Sequence, residues 1–337
     1  MPKTEDIAKA YGNIAVIGGG AWGTALALAA VQAGAKALLW ARESVVVDSI
    51  NGRHENAQFL PGIALPSAIM ATGDLAEAAR APALLIVVPA QHLRAVLKDL
   101  APRLAPGTPL MLCAKGIERG SGLLLTEVLR EMAPDAEPAI LSGPSFAHDV
   151  AVGLPTAVTI AARLDIARAL QATLAHAQFR PYASDDIVGV ALGGAAKNVY
   201  AIGCGVVDGL GLGESARAAL LARSFAELTR LGEALGARAE TLMGLSGLGD
   251  LVLTASSPSS RNFAFGQKLG RGTPLAELRR PGTPLAEGVE TAPALVARAR
   301  AQSVELPIAE TISAVLDGAL APLAALERLM SRPLRPE

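Results

Sequence analysis

Apolar positions along the chain fall into two regimes. In the first half, short runs with little polar interruption recur between Gly and Pro: residues 13–18 (NIAVIG), 36–42 (KALLWAR), 83–89 (ALLIVVP), 109–116 (PLMLCAKG), 138–144 (PAILSGP) and 156–162 (TAVTIAA). Such runs predict strands covered on both faces, as in a parallel sheet. Helical patterns lie between them, from about Trp22 to Ala33 with Gly34 as the stop, and over 74–80 and 93–104. This alternation predicts a doubly wound α/β domain. From Asp186 onward the strand signal all but disappears. Residues 214–235 repeat apolar side chains at helical spacing, and Glu214 stands at the positive end of the helix dipole. The expected organisation is an α/β domain over residues 1–184 and an all-helical domain over 185–337.

Composition narrows the picture. The chain is 51% hydrophobic but only 3% aromatic, so its core must be built from Ala, Leu and Val. The formal net charge is -1, so no global basic field exists to attract nucleic acid, and any anion must be held locally. Cys113 and Cys204 allow one disulfide at most and show no zinc spacing; a reduced, cytoplasmic protein is expected. The start, MPKTEDIAKAYG, carries acids and no apolar core of a signal peptide. The apolar stretch from Thr24 to Trp40 is broken by Gln32, Gly34 and Lys36, which predicts helix, turn and strand and no integral membrane segment. The four histidines are scattered without ligand spacing, so no metal site is expected.

The first candidate chemistry lies at the end of the first predicted strand. Gly18, Gly20 and Gly23 form G-x-G-x-x-G between that strand and a helix. In this context the first glycine makes a tight turn, the second admits a pyrophosphate to the backbone, and the third lets helix and strand come close. The helix N-terminus then offers free N–H groups to phosphate. The α/β domain is therefore expected to be Rossmann-like. Ala21 and Trp22 in the first helical turn are candidate cofactor contacts, although Trp22 also suits an ordinary hydrophobic plug. At the end of the second strand, where an acid would bind the ribose of NAD and an arginine the 2′-phosphate of NADP, the chain has Arg42 followed by Glu43. NADP(H) is expected to be accepted alongside NAD(H); a solvated surface arginine is the plainer reading.

Three further segments stand out. CAKGIERGSG (113–122) places Lys115 just past a predicted strand, at the ligand-binding end of an open sheet. GGAAKNVYAIGCG (193–205) sets Lys197 in a helix of small residues, which another surface can approach closely. SGLGDLVLTASSPSSRNFAFG (246–266) combines a glycine turn, Asp250 and a Ser-Arg-Asn group. Taken alone, Lys197 is more often structural, Asp250 suits a helix N-cap, and Ser-Arg-Asn suits a cap with a surface arginine.

Together with GGGAWGTALA (18–27), NAQFLPGIALP (56–66), LSGPSFA (141–147) and EGVETA (287–292), these segments resemble the bacterial type of NAD(P)-dependent glycerol-3-phosphate dehydrogenase over nearly the whole chain. The resemblance implies reversible hydride transfer between dihydroxyacetone phosphate and sn-glycerol 3-phosphate, feeding phospholipid synthesis. It also implies a homodimer and an active site in a crevice joining the two halves. It assigns proton transfer to Lys197, contact with both cofactor and substrate to Lys115, and a hydrogen bond to the substrate or its lysine to Asp250. Gly143, Ser145, Ser260, Arg261 and Asn262 become substrate contacts. Ala147, Arg261, Leu285 and Glu287 become cofactor contacts. Val190 and Ala191 depart from the family pattern, which has a more polar residue before the glycine pair. Two alternatives stay open: another hydroxyacid or hydroxyacyl dehydrogenase, and a dinucleotide sensor without catalysis.

Overall fold

The structure is a computed structural model and describes residues 10–280, 282–283 and 286–333. Among the described residues there are ten strands: β1 (Asn13–Ile17), β2 (Lys36–Trp40), β3 (Glu55–Asn56), β4 (Leu60–Ala64), β5 (Ile69–Thr72), β6 (Leu84–Ile86), β7 (Pro109–Leu112), β8 (Glu137–Ser142), β9 (Thr156–Ala161) and β10 (Phe179–Ser184). Eight of them form one sheet in the order β10-β9-β8-β7-β6-β1-β2-β5, and β3 pairs with β4 in a separate hairpin. Each of the six apolar runs coincides with a strand of the large sheet to within a residue at its start. The strand order doubles back at β1, flanked by β2 and β6, which is the doubly wound arrangement.

The sheet departs from uniform parallel pairing at one place: β8 and β9 are antiparallel. Their connection carries only the five-residue helix Ala147–Ala151. That helix rises about 7 Å, too little to carry the chain back along a strand of about 20 Å, so β9 starts where β8 ends. The connection begins at Gly143, whose φ is +145° and whose added Cβ would lie 2.9 Å from the Val158 Cα. Only glycine fits there.

The chain divides into two compact units. The first comprises the residues up to Ala114 together with Leu125–Val190; the second comprises Lys115–Leu124 together with the residues from Ala191 onward. The ten-residue segment that begins at Lys115 thus packs with the helical unit, although it follows a strand of the sheet. In the first unit the core is aliphatic: the helix Ala21–Gln32 buries Ala25 to Ala30 without a break against Ile14, Val16 and Leu39. In the second unit, glycines let helices touch backbone to backbone. A Cβ on Gly205 would sit 2.1 Å from the Phe263 carbonyl oxygen, and one on Gly266 would sit 2.0 Å from that of Ile202. The helix Ile187–Gly209 is therefore gripped by Arg261–Gly270 along a seam of small residues. It is long and apolar enough to cross a membrane, but 89% of its apolar stretch is buried in the protein, as in a core helix. Cys113 and Cys204 are both buried free thiols.

Candidate active site

In the first unit the glycines of the turn divide by what surrounds them. A Cβ on Gly18, at φ +130°, would meet the Val87 carbonyl oxygen at 2.8 Å, and one on Gly23 would meet the Gly18 carbonyl oxygen at 2.0 Å. Both positions are therefore required by the protein's own packing. Gly20 is different: a Cβ there meets nothing within 4 Å. Its φ of -73° suits any residue, so its missing side chain leaves room at the N-terminus of the helix Ala21–Gln32. The residues present thus fit a dinucleotide pyrophosphate at this turn. Ala21 opens the helix, and Trp22 is half-buried against the core of this unit.

Arg42 lies just beyond β2 with its side chain 83% exposed, 3.5 Å from the Glu43 carboxylate. Gly143 follows β8 directly, and the Ser145 hydroxyl donates to its carbonyl at 3.1 Å. Ala147 is the first residue of the short helix after β8.

In the second unit, Lys197, Lys115 and Asp250 meet. Lys115 Nζ lies 2.6 Å from one oxygen of Asp250, and Lys197 Nζ donates to the other. Lys197 Nζ also donates to Thr254 Oγ1 at 2.8 Å. All three side chains are largely removed from solvent.

Local structure explains the meeting. Gly193 stands one turn before Lys197, and a Cβ on it would lie 2.6 Å from the Ser246 carbonyl oxygen. Ser246 belongs to a π-helical turn, Leu245–Gly249, that runs directly into the helix Asp250–Ser256. Within that turn a Cβ on Gly247 would lie 1.9 Å from the Leu242 carbonyl oxygen. The glycines on both sides thus let the two backbones touch, which brings Lys197 within reach of Asp250. Turns of this kind gather at functional sites.

The electrostatics follow from burial. Desolvation pushes the Lys197 ammonium down from 10.5 to about 7; Asp250 works against that shift and the Lys115 charge works with it. Burial alone would raise the Asp250 carboxyl, but the neighbouring Lys115 and Lys197 charges outweigh it, and it lies below its ordinary value. The centre therefore holds an ionised acid beside a lysine poised to gain or lose a proton near neutrality.

Of the remaining candidates, Asn262 joins a chain of hydrogen bonds that reaches the Lys115 backbone. Asn198 Nδ2 donates to the Lys115 carbonyl at 3.4 Å, Asn262 Nδ2 to Asn198 Oδ1 at 2.9 Å, and the Gly288 N–H to Asn262 Oδ1 at 2.9 Å. Ser260 caps the helix Arg261–Gly270, its Oγ accepting from the Phe263 N–H at 3.2 Å. Arg261 is the exposed first residue of that helix, and Glu287 is the first residue of Glu287–Ala301. Leu285 lies outside the described residues. Arg119 pairs with Glu290 at 2.9 Å and Arg298 donates to the Gly122 carbonyl at 3.1 Å, tying the Lys115 segment to Glu287–Ala301.

Residue-type reasoning passed over Thr254, Asn198 and Asn56. Thr254 follows Asp250 by four residues, so helical spacing alone places both on one face. Among the described residues no group of three His, Cys, Asp or Glu side chains gathers to hold a metal.

A Rossmann-like sheet with a dinucleotide-admitting turn, and a desolvated lysine held by an acid beside a second cation, define a pyridine-nucleotide-dependent oxidoreductase. The chain belongs to the NAD-dependent glycerol-3-phosphate dehydrogenase family: residues 13–167 match the family's N-terminal region and 186–327 its C-terminal region. It is 57% identical to a glycerol-3-phosphate dehydrogenase [NAD(P)+] of Parvibaculum lavamentivorans, over 97% of this chain and 99% of the relative. It is 58% identical to a protein of the same description from Bradyrhizobium, over 97% and 99% respectively. Among solved structures, the glycerol-3-phosphate dehydrogenase of Coxiella burnetii superposes with a TM-score of 0.90 at 37% identity, over 96% of this chain and 99% of that one.

Proposed function

We propose that the chain catalyses the reversible reduction of dihydroxyacetone phosphate to sn-glycerol 3-phosphate with NADPH or NADH. The observation that carries this reading is the Lys197–Asp250–Lys115 cluster, in which burial brings one lysine to about 7. Bound at the glycine turn, the nicotinamide cofactor supplies the hydride in reduction and accepts it in oxidation.

The proton is the protein's task. Lys197 donates to the ketone oxygen as it becomes an alkoxide, and in the reverse direction it takes the hydroxyl proton. Asp250 and Thr254 fix the direction of its N–H bonds. Lys115 supplies a fixed positive charge beside the reacting oxygen and keeps Lys197 a better proton donor than a solvated lysine. In this reading Arg261 meets the phosphate with its planar fork. The Ser260 oxygen is used as a cap, but its O–H hydrogen remains, and Asn262 spends one amide hydrogen on Asn198 and keeps the other. Each therefore retains one donor for phosphate. Gly143 and Ser145 are assigned to the substrate, and Ala147 and Glu287 to the cofactor. The family relationship supports a cytoplasmic homodimer that feeds glycerophospholipid synthesis. The two buried free thiols accord with a reducing compartment.

Loss of reduced nicotinamide absorbance tests the reading. Oxidation of NADPH or NADH on adding dihydroxyacetone phosphate, but not 2-keto acids or acetoacetyl thioesters, supports it. Preference for the latter substrates, or cofactor binding without turnover of any phosphorylated ketose, overturns it.

A further inference from the structure

Asn56 is a fully buried polar residue that the reaction does not use, and its amide is aimed at the back of the glycine turn. Its Nδ2 donates to the Gly19 carbonyl at 2.8 Å and to Thr24 Oγ1 at 2.7 Å. The Phe59 N–H donates to its Oδ1 at 3.2 Å. Thr24 Oγ1 in turn donates to the Gly20 carbonyl at 3.0 Å, which also accepts the Thr24 N–H at 3.0 Å. Both carbonyls of the turn are thereby held on the protein side.

The consequence lies in peptide geometry. Among the described residues every peptide bond is trans, so each C=O points opposite to the N–H of the next residue. Holding the Gly19 carbonyl against Asn56 aims the Gly20 N–H away from the core. Holding the Gly20 carbonyl against Thr24 aims the Ala21 N–H out of the helix N-terminus. The open space at Gly20 lies at this turn. A turned peptide would instead present a carbonyl oxygen to an incoming phosphate and repel it. Asn56 is itself locked: Ser49 Oγ donates to the Glu55 carbonyl at 2.6 Å, and Gly62 N–H donates to Glu55 Oε1 at 2.8 Å, so the β3–β4 hairpin cannot shift freely.

We propose that Asn56, acting through Thr24 and the Gly19 carbonyl, is a positioning residue that orients the Gly20 and Ala21 N–H groups toward the cofactor's phosphates. The proposal rests on the dinucleotide reading above. Its test is calorimetric binding of NADPH and NADH to the whole protein, with steady-state kinetics alongside. Asn56→Asp keeps the shape but sets an acceptor against the Gly19 carbonyl. Thr24→Val keeps the branched shape and removes the hydroxyl. Each is expected to weaken cofactor binding by about tenfold or more, the scale of one lost hydrogen bond with its partner left buried. In both variants kcat at saturating cofactor and KM for dihydroxyacetone phosphate should change far less, and Thr24→Ser should restore wild-type binding.

Unchanged cofactor affinity in folded Asn56→Asp overturns the proposal. Should that variant fail to fold, unchanged affinity in Thr24→Val does the same. A parallel fall in affinity, kcat and thermal stability marks Asn56 as merely structural and also overturns it. A wild-type protein that binds no dinucleotide defeats the functional reading itself, before any variant is compared.

Discussion

Lys197 and Asp250 meet where solvent barely reaches, the lysine 7% exposed and the acid 0%. An ammonium so placed holds its proton less tightly than in water, yet the carboxylate keeps it ordered. If Lys197 is the proton donor, removing it leaves cofactor binding intact and removes the chemistry. Lys197→Met is expected to lower kcat by about two to four orders of magnitude, the usual worth of a general acid. Its Kd for NADPH, measured by titration without substrate, should stay near that of the wild type. A loss of tenfold or less in kcat would take Lys197 out of that role.

The pH dependence carries the same argument with a sign. Reduction needs Lys197 protonated and oxidation needs it neutral. With its proton lost at about 7, kcat/KM for reduction should fall as pH rises through that value, and kcat/KM for oxidation should rise. The two neighbours should move this limb in opposite directions. Lys115→Met removes a cation that pushes Lys197 down, so the limb moves to higher pH; Asp250→Asn removes an anion that pulls it up, so the limb moves lower. Profiles of both variants that shift the same way, or not at all, would separate Lys197 from the observed titration.

How much of this was legible in sequence depends on the kind of signal each part leaves. The central strands were plain because burial on both faces makes an unbroken apolar run, as in Leu84–Ile86. β10 was not, since Phe179–Ser184 lies at a sheet edge, alternates buried and exposed residues, and contains Pro181. The glycine turn was legible because its chemistry is local. Lys197, Lys115 and Asp250 stand far apart in sequence, and read as residue types alone Lys197 and Asp250 have plainer roles; their motif context singles them out. Asn56 left no such mark: a buried asparagine becomes meaningful only when the folded hairpin aims it at Gly19. The packing of Lys115–Leu124 with the helical unit was equally hidden, because that segment sits between two strands of the sheet in the chain.

The glycines of the turn should part company under substitution. Gly23→Ala forces a Cβ to within 2.0 Å of a backbone oxygen, and neither helix nor strand can yield cheaply. It should cost roughly 1–3 kcal/mol or more, as overpacking does, read from denaturant unfolding. Gly20→Ala meets no atom of the protein, so its stability should stay within about 0.5 kcal/mol of wild type. Its affinity for NADPH and NADH should nevertheless fall, because the added methyl occupies the space left for phosphate. Unimpaired binding by Gly20→Ala would place the pyrophosphate elsewhere.

Arg42 tests the choice of cofactor. Its guanidinium is exposed at the end of β2, 3.5 Å from the Glu43 carboxylate. If it receives the 2′-phosphate, Arg42→Ala should raise KM for NADPH by about tenfold or more, the scale of a charge-assisted hydrogen bond. KM for NADH, which lacks that phosphate, should hardly change. Equal effects on both cofactors would make Arg42 a solvated surface charge.

Glu227, only 2% exposed, accepts the Ile308 N–H at 2.7 Å and the Ala309 N–H at 3.2 Å, at the start of the helix Pro307–Leu316, and also the Tyr200 hydroxyl at 3.3 Å. Burial raises its carboxyl from 4.5 to about 7, against those hydrogen bonds and the Arg230 charge. The unfolded chain releases this proton near 4.5, whereas the folded protein keeps it to about 7. The folded state therefore holds more protons between the two values, and stability falls as pH rises through them. The group's contribution is complete below 4.5 and is lost above about 7, on the order of 3 kcal/mol for a shift of this size. Glu227→Gln keeps an oxygen for the helix N-terminus and cannot titrate. Melting temperature plotted against pH should accordingly decline less steeply between pH 5 and 8 (about the range spanning the shifted group) in Glu227→Gln than in the wild type. Parallel curves would show that this carboxyl does not carry the shift that its burial implies.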